Sequence, residues 1–215
     1  MTPQDASAKM LETAQLAPVI PVIVVDQIEH AAPLAKALVA GGLPVLEVTL
    51  RTPVALDAIR RMTDVPGAIV GAGTLLNAGH ADAVKEAGGR FAVSPGSTKG
   101  LITRCGEIDL PLLPGAATAT EAMQLLEQGF EMMKFFPAEA AGGVPSLSSF
   151  ASPLPQISFC PTGGVSLNNA PDYLALSNVV CVGGSWVAPK SMVASGDWDG
   201  ITALATEAVK KLSAA

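Results

Sequence analysis

The sequence predicts an α/β fold, specifically a single (β/α)8 TIM barrel with an extra N-terminal helix. Short apolar, β-branched runs recur eight times, and their starts lie 19 to 26 residues apart. Helix-like segments lie between successive runs, and no linker-like or low-complexity segment divides the chain. Alternating strands and helices require a parallel sheet with right-handed crossovers, and eight such units fit one barrel of this length.

The elements follow one another in a regular order. Residues 4–16 form the first predicted helix, because Met10, Leu11 and Ala14 give it an apolar face and Pro18 ends it. The predicted strands are Val19–Val25, Val45–Leu50, Ala68–Gly73, Phe91–Ser94, Leu110–Leu113, Met132–Phe136, Ile157–Pro161 and Val179–Val182. The later predicted helices are Glu29–Ala40, Thr52–Met62, His80–Ala87, Thr98–Gly106, Thr118–Gln128, Ser146–Ser149, Asn168–Leu174 and Trp198–Leu212.

These elements predict one domain over residues 1–215. The first helix occupies residues 1–17 and the barrel occupies residues 18–215. A doubly wound open sheet is the alternative architecture. It would usually have fewer strands, and it needs a topological switch point that no residue in the sequence identifies.

The composition argues against several classes of protein and partner. The chain of 215 residues is 49% hydrophobic and 15% charged, which excludes a disordered protein. Its formal net charge of −6 argues against nucleic acid or an anionic membrane as the partner. Three widely spaced cysteines indicate free thiols in a reducing compartment, and neither a signal peptide nor a membrane span is recognisable. We therefore expect a cytoplasmic protein.

A lysine interrupts the sixth predicted strand. Alternation along the strand places Lys134 on one face together with Met132 and Phe136. Burial disfavours a charged ammonium group, and an uncharged amine is a nucleophile that forms Schiff bases with carbonyl compounds. The alternative is a lysine at a strand end that reaches solvent or pairs with Glu131 or Glu139.

The second predicted strand carries an acid and a guanidinium group on one face. Glu47 and Arg51 share this face, whereas the apolar Leu46, Val48 and Leu50 share the other. Helices cover the outside of a barrel, so the apolar set is expected to face outward and the charged pair inward. Catalytic residues of such barrels lie at the C-terminal ends of the strands, where both residues belong. A purely structural Arg51–Glu47 ion pair is the alternative.

Pairs of glycines follow the last two predicted strands. Thr-Gly-Gly at 162–164 follows the seventh strand, and Gly-Gly-Ser at 183–185 follows the eighth. Barrel enzymes commonly bind a phosphate group with backbone amides of the loops at these two places. A metal site is poorly supported, because His30 and His80 are the only histidines and lack a ligand spacing. We therefore expect neither a metal nor a cofactor.

Six motifs at the strand ends together resemble those of the 2-keto-3-deoxy-6-phosphogluconate (KDPG) aldolases, a family that also acts on 4-hydroxy-2-oxoglutarate. The motifs are VLEVTLRTP around Glu47, GAGT at 71–74, SPG at 94–96, KFFPAE from Lys134, PTGGV at 161–165 and GGSW at 183–186. They occur in the family's order, and the likeness runs from about Val19 to the end of the chain.

The resemblance implies a role for each matching residue. It implies that Lys134 forms the Schiff base, that Glu47 is the general acid and base, and that Thr162 influences stereochemistry. The residues that it assigns to the pyruvate end of the substrate are Arg51, Thr74, Pro95 and Phe136. The residues that it assigns to the phosphate group are Gly163, Gly164, Gly184 and Ser185. It also implies a metal-independent homotrimer.

The activity implied by the resemblance is that of a class I aldolase. The expected substrate is a small phosphorylated keto acid, 2-dehydro-3-deoxy-6-phosphogluconate, which is cleaved to pyruvate and glyceraldehyde 3-phosphate in the Entner–Doudoroff pathway. Alternative substrates are 4-hydroxy-2-oxoglutarate and the phosphogalactonate epimer. A different class of function also remains open, namely a barrel that binds a phosphorylated ligand, either an isomerase or epimerase or a non-catalytic binder. In that protein Lys134 would act only electrostatically.

Overall fold

A computed structural model describes residues 1–213, in which strands and helices alternate along the chain. The strands are β1 (Val19–Ile23), β2 (Val45–Thr49), β3 (Ile69–Gly73), β4 (Ala92–Val93), β5 (Leu112–Leu113), β6 (Gly115–Ala116), β7 (Met132–Phe135), β8 (Ser158–Pro161) and β9 (Val182–Gly184). The helices are α1 (Pro3–Ala14), α2 (Ala31–Ala40), α3 (Ala55–Thr63), α4 (Ala78–Glu86), α5 (Lys99–Glu107), α6 (Ala119–Glu127), α7 (Gly143–Ala151), α8 (Ala170–Leu174), α9 (Lys190–Ser195) and α10 (Trp198–Leu212). Positions 214–215 of the predicted domain lie outside the described residues.

The strands form two sheets in which every pairing is parallel. The larger sheet has the order β5-β4-β3-β2-β1-β9, and the smaller has the order β6-β7-β8. Single bridges join Phe159 to Val179 and Thr162 to Gly183, which connects β8 with the segment of β9. The prediction of an α/β fold with parallel strands is therefore confirmed. In the larger sheet, β1 to β5 are neighbours in chain order. The described strands therefore lack the topological switch point that a doubly wound sheet needs.

Six predicted strands agree with the observed ones to within two residues at each end, and two differ by more. The fifth was expected at Leu110–Leu113, but the structure has β5 and then β6 on either side of Pro114. Proline has no N–H group to donate to a neighbouring strand, so it interrupts the ladder where the sequence suggested a turn. The eighth was expected at Val179–Val182, but β9 begins at Val182 and includes both following glycines, which pair with β1.

Helix boundaries also differ from those predicted. The first helix is α1 rather than residues 4–16, because Thr2 caps it and exchanges hydrogen bonds with Asp5 in a capping box. The predicted short helix Ser146–Ser149 belongs to the longer α7, which accommodates Pro145 in its first turn. Helix α9 was not predicted, because its six residues are too few to show a clear helical period.

The strands carry different clusters of apolar side chains on their two faces. The cluster on one face, called here the inner cluster, contains Met10, Ala14, Ile20, Val45, Phe91, Val93, Leu113, Met132, Cys160 and Cys181. The cluster on the other face packs against the helices and includes Leu46 and Val48 of β2 and Met133 and Phe135 of β7. The alternation predicted for these two strands is therefore confirmed.

Helix α1 lies against the N-terminal ends of the strands. Met10 is fully buried in the inner cluster, and Ser7 Oγ accepts a hydrogen bond of 2.9 Å from the backbone N–H of Glu131, just before β7. We expect Met10→Ala to lower the free energy of unfolding by about 2–5 kcal/mol, because it leaves a cavity in a packed interior. Urea unfolding measures this change. The control Glu12→Ala, on the exposed side of α1, should change stability by less than about 0.5 kcal/mol; equal losses would contradict this role of Met10.

Candidate active site

Lys134 and Glu47 form a buried ion pair across the interior of the fold. Lys134 Nζ donates to Glu47 Oε1 at 3.2 Å, and the two side chains are only 6% and 4% exposed. Lys134 lies in β7 and Glu47 in β2, so the pair joins the two sheets. Lys134 therefore does not reach solvent. Among the described residues Glu47 forms its ion pair with Lys134, and no Arg51–Glu47 ion pair is present.

Glycines on neighbouring strands leave the space that two site side chains occupy. A Cβ atom on Gly73 of β3 would collide with the Glu47 carboxylate. A Cβ atom on Gly183 of β9 would likewise collide with the Thr162 hydroxyl. The sequence shows both glycines beside strand ends, but only the pairing of the strands shows which side chain each one accommodates.

Arg51 and Thr74 meet at the C-terminal ends of β2 and β3. Arg51 Nε donates to Thr74 Oγ1 at 3.3 Å. Thr74 has φ of 65°, a left-handed conformation that is unfavourable for a β-branched residue. Residues in such strained conformations cluster at functional sites. A guanidinium group and a hydroxyl group placed side by side offer several donors to a carboxylate.

A cavity of about 630 Å³ opens at the C-terminal ends of the strands. The predicted site residues that line it are Arg51, Phe136, Thr162, Gly163, Gly164 and Ser185. Lys134 lies close to this wall, with Nζ 5.3 Å from the centre of the Phe136 ring. The structure thus brings the ion pair, the guanidinium group and the two glycine-containing loops to one end of the fold.

Five predicted site residues are not among those that line this cavity: the buried pair Lys134 and Glu47, and also Thr74, Pro95 and Gly184. Thr74 contributes through its hydrogen bond to Arg51, and the backbone of Pro95 instead lies against Gly115 of β6. Gly184 is covered by the indole ring of Trp186, which would collide with a Cβ atom there, whereas the preceding Gly183 does line the cavity.

The cavity also contains residues that the sequence did not indicate. Val22 and Val24 line it, and both follow the buried Ile20 at every second position of the first strand. Strand alternation could therefore have identified them. Trp186 and Lys190 line it as well. Trp186 ends the GGSW motif, but the resemblance implied no role for it, and no pattern in the sequence pointed to Lys190.

The turn at Gly163 and Gly164 is held from behind by hydrogen bonds. Both glycines have positive φ, 101° and 81°. The N–H group of Glu139 donates to the Gly163 carbonyl at 3.0 Å, and Asn169 Nδ2 donates to the Gly164 carbonyl at 3.2 Å. The Glu139 carboxylate accepts a hydrogen bond from the Tyr173 hydroxyl. Burial, together with this hydrogen bond, raises the pKa of Tyr173, so the hydroxyl remains a donor.

The three cysteines are buried, and none of them forms a disulfide bond. Burial raises the pKa of the Cys105 thiol to about 12. A hydrogen bond with Cys160, with burial as the second cause, raises the pKa of Cys181 well above its usual value. Both of these thiols therefore stay neutral at physiological pH, and Cys160 and Cys181 fill space in the inner cluster.

The described residues give two further results that bear on function. No group of three or more His, Cys, Asp or Glu side chains within residues 1–213 is arranged to hold a metal ion. Over the same range, every helix is too short or too polar to cross a membrane.

Comparisons with known proteins show which family the chain resembles. A sequence model of the KDPG and KHG aldolases matches residues 10–204. The chain is 55% identical over 194 residues to the KHG/KDPG aldolase of Escherichia coli K12, and the match covers 90% of this chain and 91% of that protein. It is 54% identical over 204 residues to the 2-dehydro-3-deoxy-phosphogluconate aldolase of Dickeya dadantii, and this match covers 94% of this chain and 95% of that protein.

Two solved structures are similar to the whole fold. One is the 2-keto-3-deoxy-6-phosphogluconate aldolase of Zymomonas mobilis ZM4 with 3-phosphoglycerate, with a TM-score of 0.87 and 52% identity over 93% of this chain and 94% of that one. The other is the KDPG aldolase of Legionella pneumophila, in which pyruvate was captured at low pH as a covalent carbinolamine. Its TM-score is 0.89 and its identity 44%, over 97% and 98% of the two chains.

Proposed function

The chain belongs to the KDPG and KHG aldolase family. We propose that it is a class I aldolase that cleaves 2-dehydro-3-deoxy-6-phosphogluconate to pyruvate and glyceraldehyde 3-phosphate. This reaction is part of the Entner–Doudoroff pathway. The observation that carries this proposal is the buried ion pair between Lys134 and Glu47, beside a cavity that also contains Arg51. It combines an amine, a proton acceptor and an anchor for a carboxylate at one place.

Lys134 is the proposed nucleophile. Its amine attacks the C2 carbonyl of the keto acid to give a carbinolamine, which loses water to form an iminium ion. When the C3–C4 bond breaks, its electron pair forms the C2=C3 double bond of an enamine. The positive charge of the iminium ion is neutralised in this step. The C4 hydroxyl loses its proton and becomes the aldehyde of glyceraldehyde 3-phosphate. Protonation of the enamine at C3, followed by hydrolysis, releases pyruvate and restores the amine.

Glu47 is the proposed general acid and base for these steps. Its carboxylate is 3.2 Å from the nitrogen that must lose a proton before it attacks C2. The same carboxylate, directly or through a water molecule, is placed to take the proton of the C4 hydroxyl and to return a proton to the enamine carbon. One residue is proposed for all three transfers, because Glu47 is the carboxylate that contacts the Lys134 amine.

The pyruvate carboxylate is assigned to Arg51 and Thr74. An arginine fork binds a carboxylate in a bidentate manner, and the Thr74 hydroxyl is already within hydrogen-bonding distance of Arg51. Phe136 supplies an apolar wall beside Lys134, and Pro95 follows β4 near the same rim. Thr162 is buried between Cys160 and Gly183, where it would contact the C4 hydroxyl and influence stereochemistry.

The phosphate group is assigned to Gly163, Gly164, Gly184 and Ser185. Of these, Gly163, Gly164 and Ser185 line the cavity that Arg51 also lines. Glycines permit an anion to approach the backbone closely, because no side chain shields the amide groups.

Ser185→Asp tests this assignment. The new carboxylate would repel the phosphate, so kcat/KM for the phosphorylated substrate should fall about tenfold or more, while the value for the same keto acid without phosphate should stay within a factor of about two. Steady-state kinetics with both substrates measures this difference. Ser195→Asp, an exposed position at the end of α9, is the matched control. An equal loss with both substrates would contradict a phosphate role for Ser185.

Trapping the Schiff base tests the function itself. The protein is incubated with pyruvate, reduced with borohydride, digested and analysed by mass spectrometry. A reduced pyruvyl group on the peptide that contains Lys134 is the expected result. No adduct, together with retained binding of a phosphorylated ligand, would instead favour a phosphate-binding isomerase, epimerase or binder. Activity lost on addition of EDTA would point to a metal-dependent reaction.

A second substrate is also supported by one observation. The Escherichia coli relative at 55% identity is named for both activities, KHG and KDPG. We therefore propose that the chain also accepts 4-hydroxy-2-oxoglutarate. We also propose that Thr162 distinguishes 2-dehydro-3-deoxy-6-phosphogluconate from its phosphogalactonate epimer. The kcat/KM values measured for the three substrates test both proposals.

The architecture and assembly complete the proposal. We propose that residues 1–17 and 18–215 form one domain in which the two sheets close into a (β/α)8 barrel with an extra N-terminal helix. The bridges between β8 and the segment of β9 support closure on one side, and the short gap between β5 and β6 supports it on the other. The proposed homotrimer rests on the family resemblance, and sedimentation velocity at low concentration tests it. A cytoplasmic location fits the three free cysteines.

A further inference from the structure

The side chains that line the cavity beside the ion pair carry a net positive charge, although the chain as a whole is acidic. Two cationic residues, Arg51 and Lys190, line it, and its described lining contains no Asp or Glu. The complete chain, in contrast, has a formal net charge of −6. A local excess of positive charge in a cleft attracts an anionic ligand, and the two lining cations provide that excess here.

The two cations reach the cavity from different elements of the fold. Arg51 follows β2, whereas Lys190 follows β9, and β1 lies between these strands in the sheet. Neighbouring strands are about 4.8 Å apart, so strands β2 and β9 are separated by roughly 10 Å. Val22 and Val24 of the intervening segment add apolar side chains to the same lining. A ligand with an anionic group at each end of a short carbon chain fits this arrangement.

Lys190 is free to bind a ligand. Its side chain has no ion pair and no hydrogen bond to any other residue in the described range 1–213, and it is exposed. The acidic residue nearest the glycine turn is Glu139, which packs against Gly164 from behind. Its carboxylate accepts a hydrogen bond from Tyr173, and it is absent from the cavity lining. Glu139 therefore does not neutralise the cavity side of the turn.

We propose that Lys190 binds the terminal phosphate of the substrate, together with the Gly163–Gly164 turn and Ser185, and thereby sets the preference for phosphorylated over unphosphorylated keto acids. The inference rests on the proposed function. Backbone amides and a hydroxyl group offer donors but no net charge, so a lysine beside them adds a stronger, charge-assisted contact to a phosphate dianion. The lysine ammonium is a compact charge on a flexible stem, which suits a phosphate at an open cavity mouth.

Lys190→Met tests this role. We expect kcat/KM for 2-dehydro-3-deoxy-6-phosphogluconate to fall roughly tenfold, through a higher KM with kcat nearly unchanged, because the charge-assisted contact is lost. The value for the same keto acid without phosphate should change by less than about twofold, and Lys190→Arg should restore most of the preference. Lys99→Met is the matched control, since this exposed lysine begins α5 and does not line the cavity.

A binding measurement separates this inference from the proposed reaction. Glycerol 3-phosphate carries the phosphate but no carbonyl group, so its affinity can be measured by calorimetry without turnover. Its Kd should rise roughly tenfold in Lys190→Met and stay unchanged in Lys99→Met. An unchanged Kd, or an equal loss of kcat/KM for both keto acids, would overturn the role of Lys190. Failure of the wild-type protein to form the pyruvate adduct on Lys134 would instead overturn the proposed aldolase.

Discussion

Lys134→Met is expected to abolish the pyruvate adduct and to lower aldolase activity by at least about 10⁴-fold. Methionine has nearly the length of lysine but no amine, so neither the carbinolamine nor the iminium ion can form. Without the iminium ion, the electrons of the C3–C4 bond have no acceptor. Borohydride trapping and steady-state kinetics measure the two effects. Lys134→Arg should be equally inactive, although it keeps the positive charge beside Glu47.

Stability must be followed in the same variants. Removing one partner of a buried ion pair costs about 3–5 kcal/mol, so Lys134→Met should also unfold at lower urea concentration. Circular dichroism under assay conditions shows whether the variant is folded. Lys36→Met, on the exposed side of α2, is the control for loss of a lysine charge. A folded Lys134→Met protein that still forms an adduct with pyruvate would show that another residue is the nucleophile.

Glu47→Gln is expected to lower kcat by about 10²- to 10⁴-fold, the range that general acid–base catalysis contributes. Glutamine keeps the size of the side chain and can still accept a hydrogen bond from Lys134, but it cannot take up a proton. Exchange of the methyl protons of pyruvate with deuterated solvent, followed by NMR, reports formation of the enamine. This exchange should slow by a similar factor, because it needs the same proton transfer at carbon.

The adduct provides a second readout for Glu47. Glu47→Gln should still form the reduced pyruvyl adduct on Lys134, but more slowly than the wild-type protein does. Glu86→Gln makes the same chemical change on the exposed side of α4 and should leave both rates unchanged. Normal methyl exchange in Glu47→Gln would contradict the proposed role and would assign the proton transfers to a water molecule or another group.

The period of a strand was sufficient to predict which side chains face inward. Because successive side chains of a strand alternate, one apolar face of β2 placed Glu47 on the opposite face, and Lys134 followed from β7 in the same way. The ion pair between them could not be predicted, because it depends on the relative position of two strands in different sheets. The same alternation in the first strand places Val22 and Val24 on the face of Ile20, and both residues line the cavity.

Features that depend on three-dimensional packing were missed for physical reasons. The break at Pro114 reflects one missing N–H group, and its neighbours still pair as strands on either side. Helix α9 is too short to show a period, so Lys190 could not be placed at the cavity. Gly184 was expected at the phosphate, but Gly183 lines the cavity instead. The reason is that the chain after β9 folds the Trp186 indole ring onto Gly184, which the sequence does not reveal.

The glycines opposite Glu47 and Thr162 limit how this protein can acquire new substrates. Gly73 and Gly183 cannot gain a side chain without displacing Glu47 or Thr162, so the width of the interior is fixed by the backbone. Laboratory evolution for other aldehydes should therefore leave these two positions unchanged. Beneficial substitutions should accumulate instead in the segment between Ser185 and Lys190, where side chains meet the cavity from a loop and tolerate change.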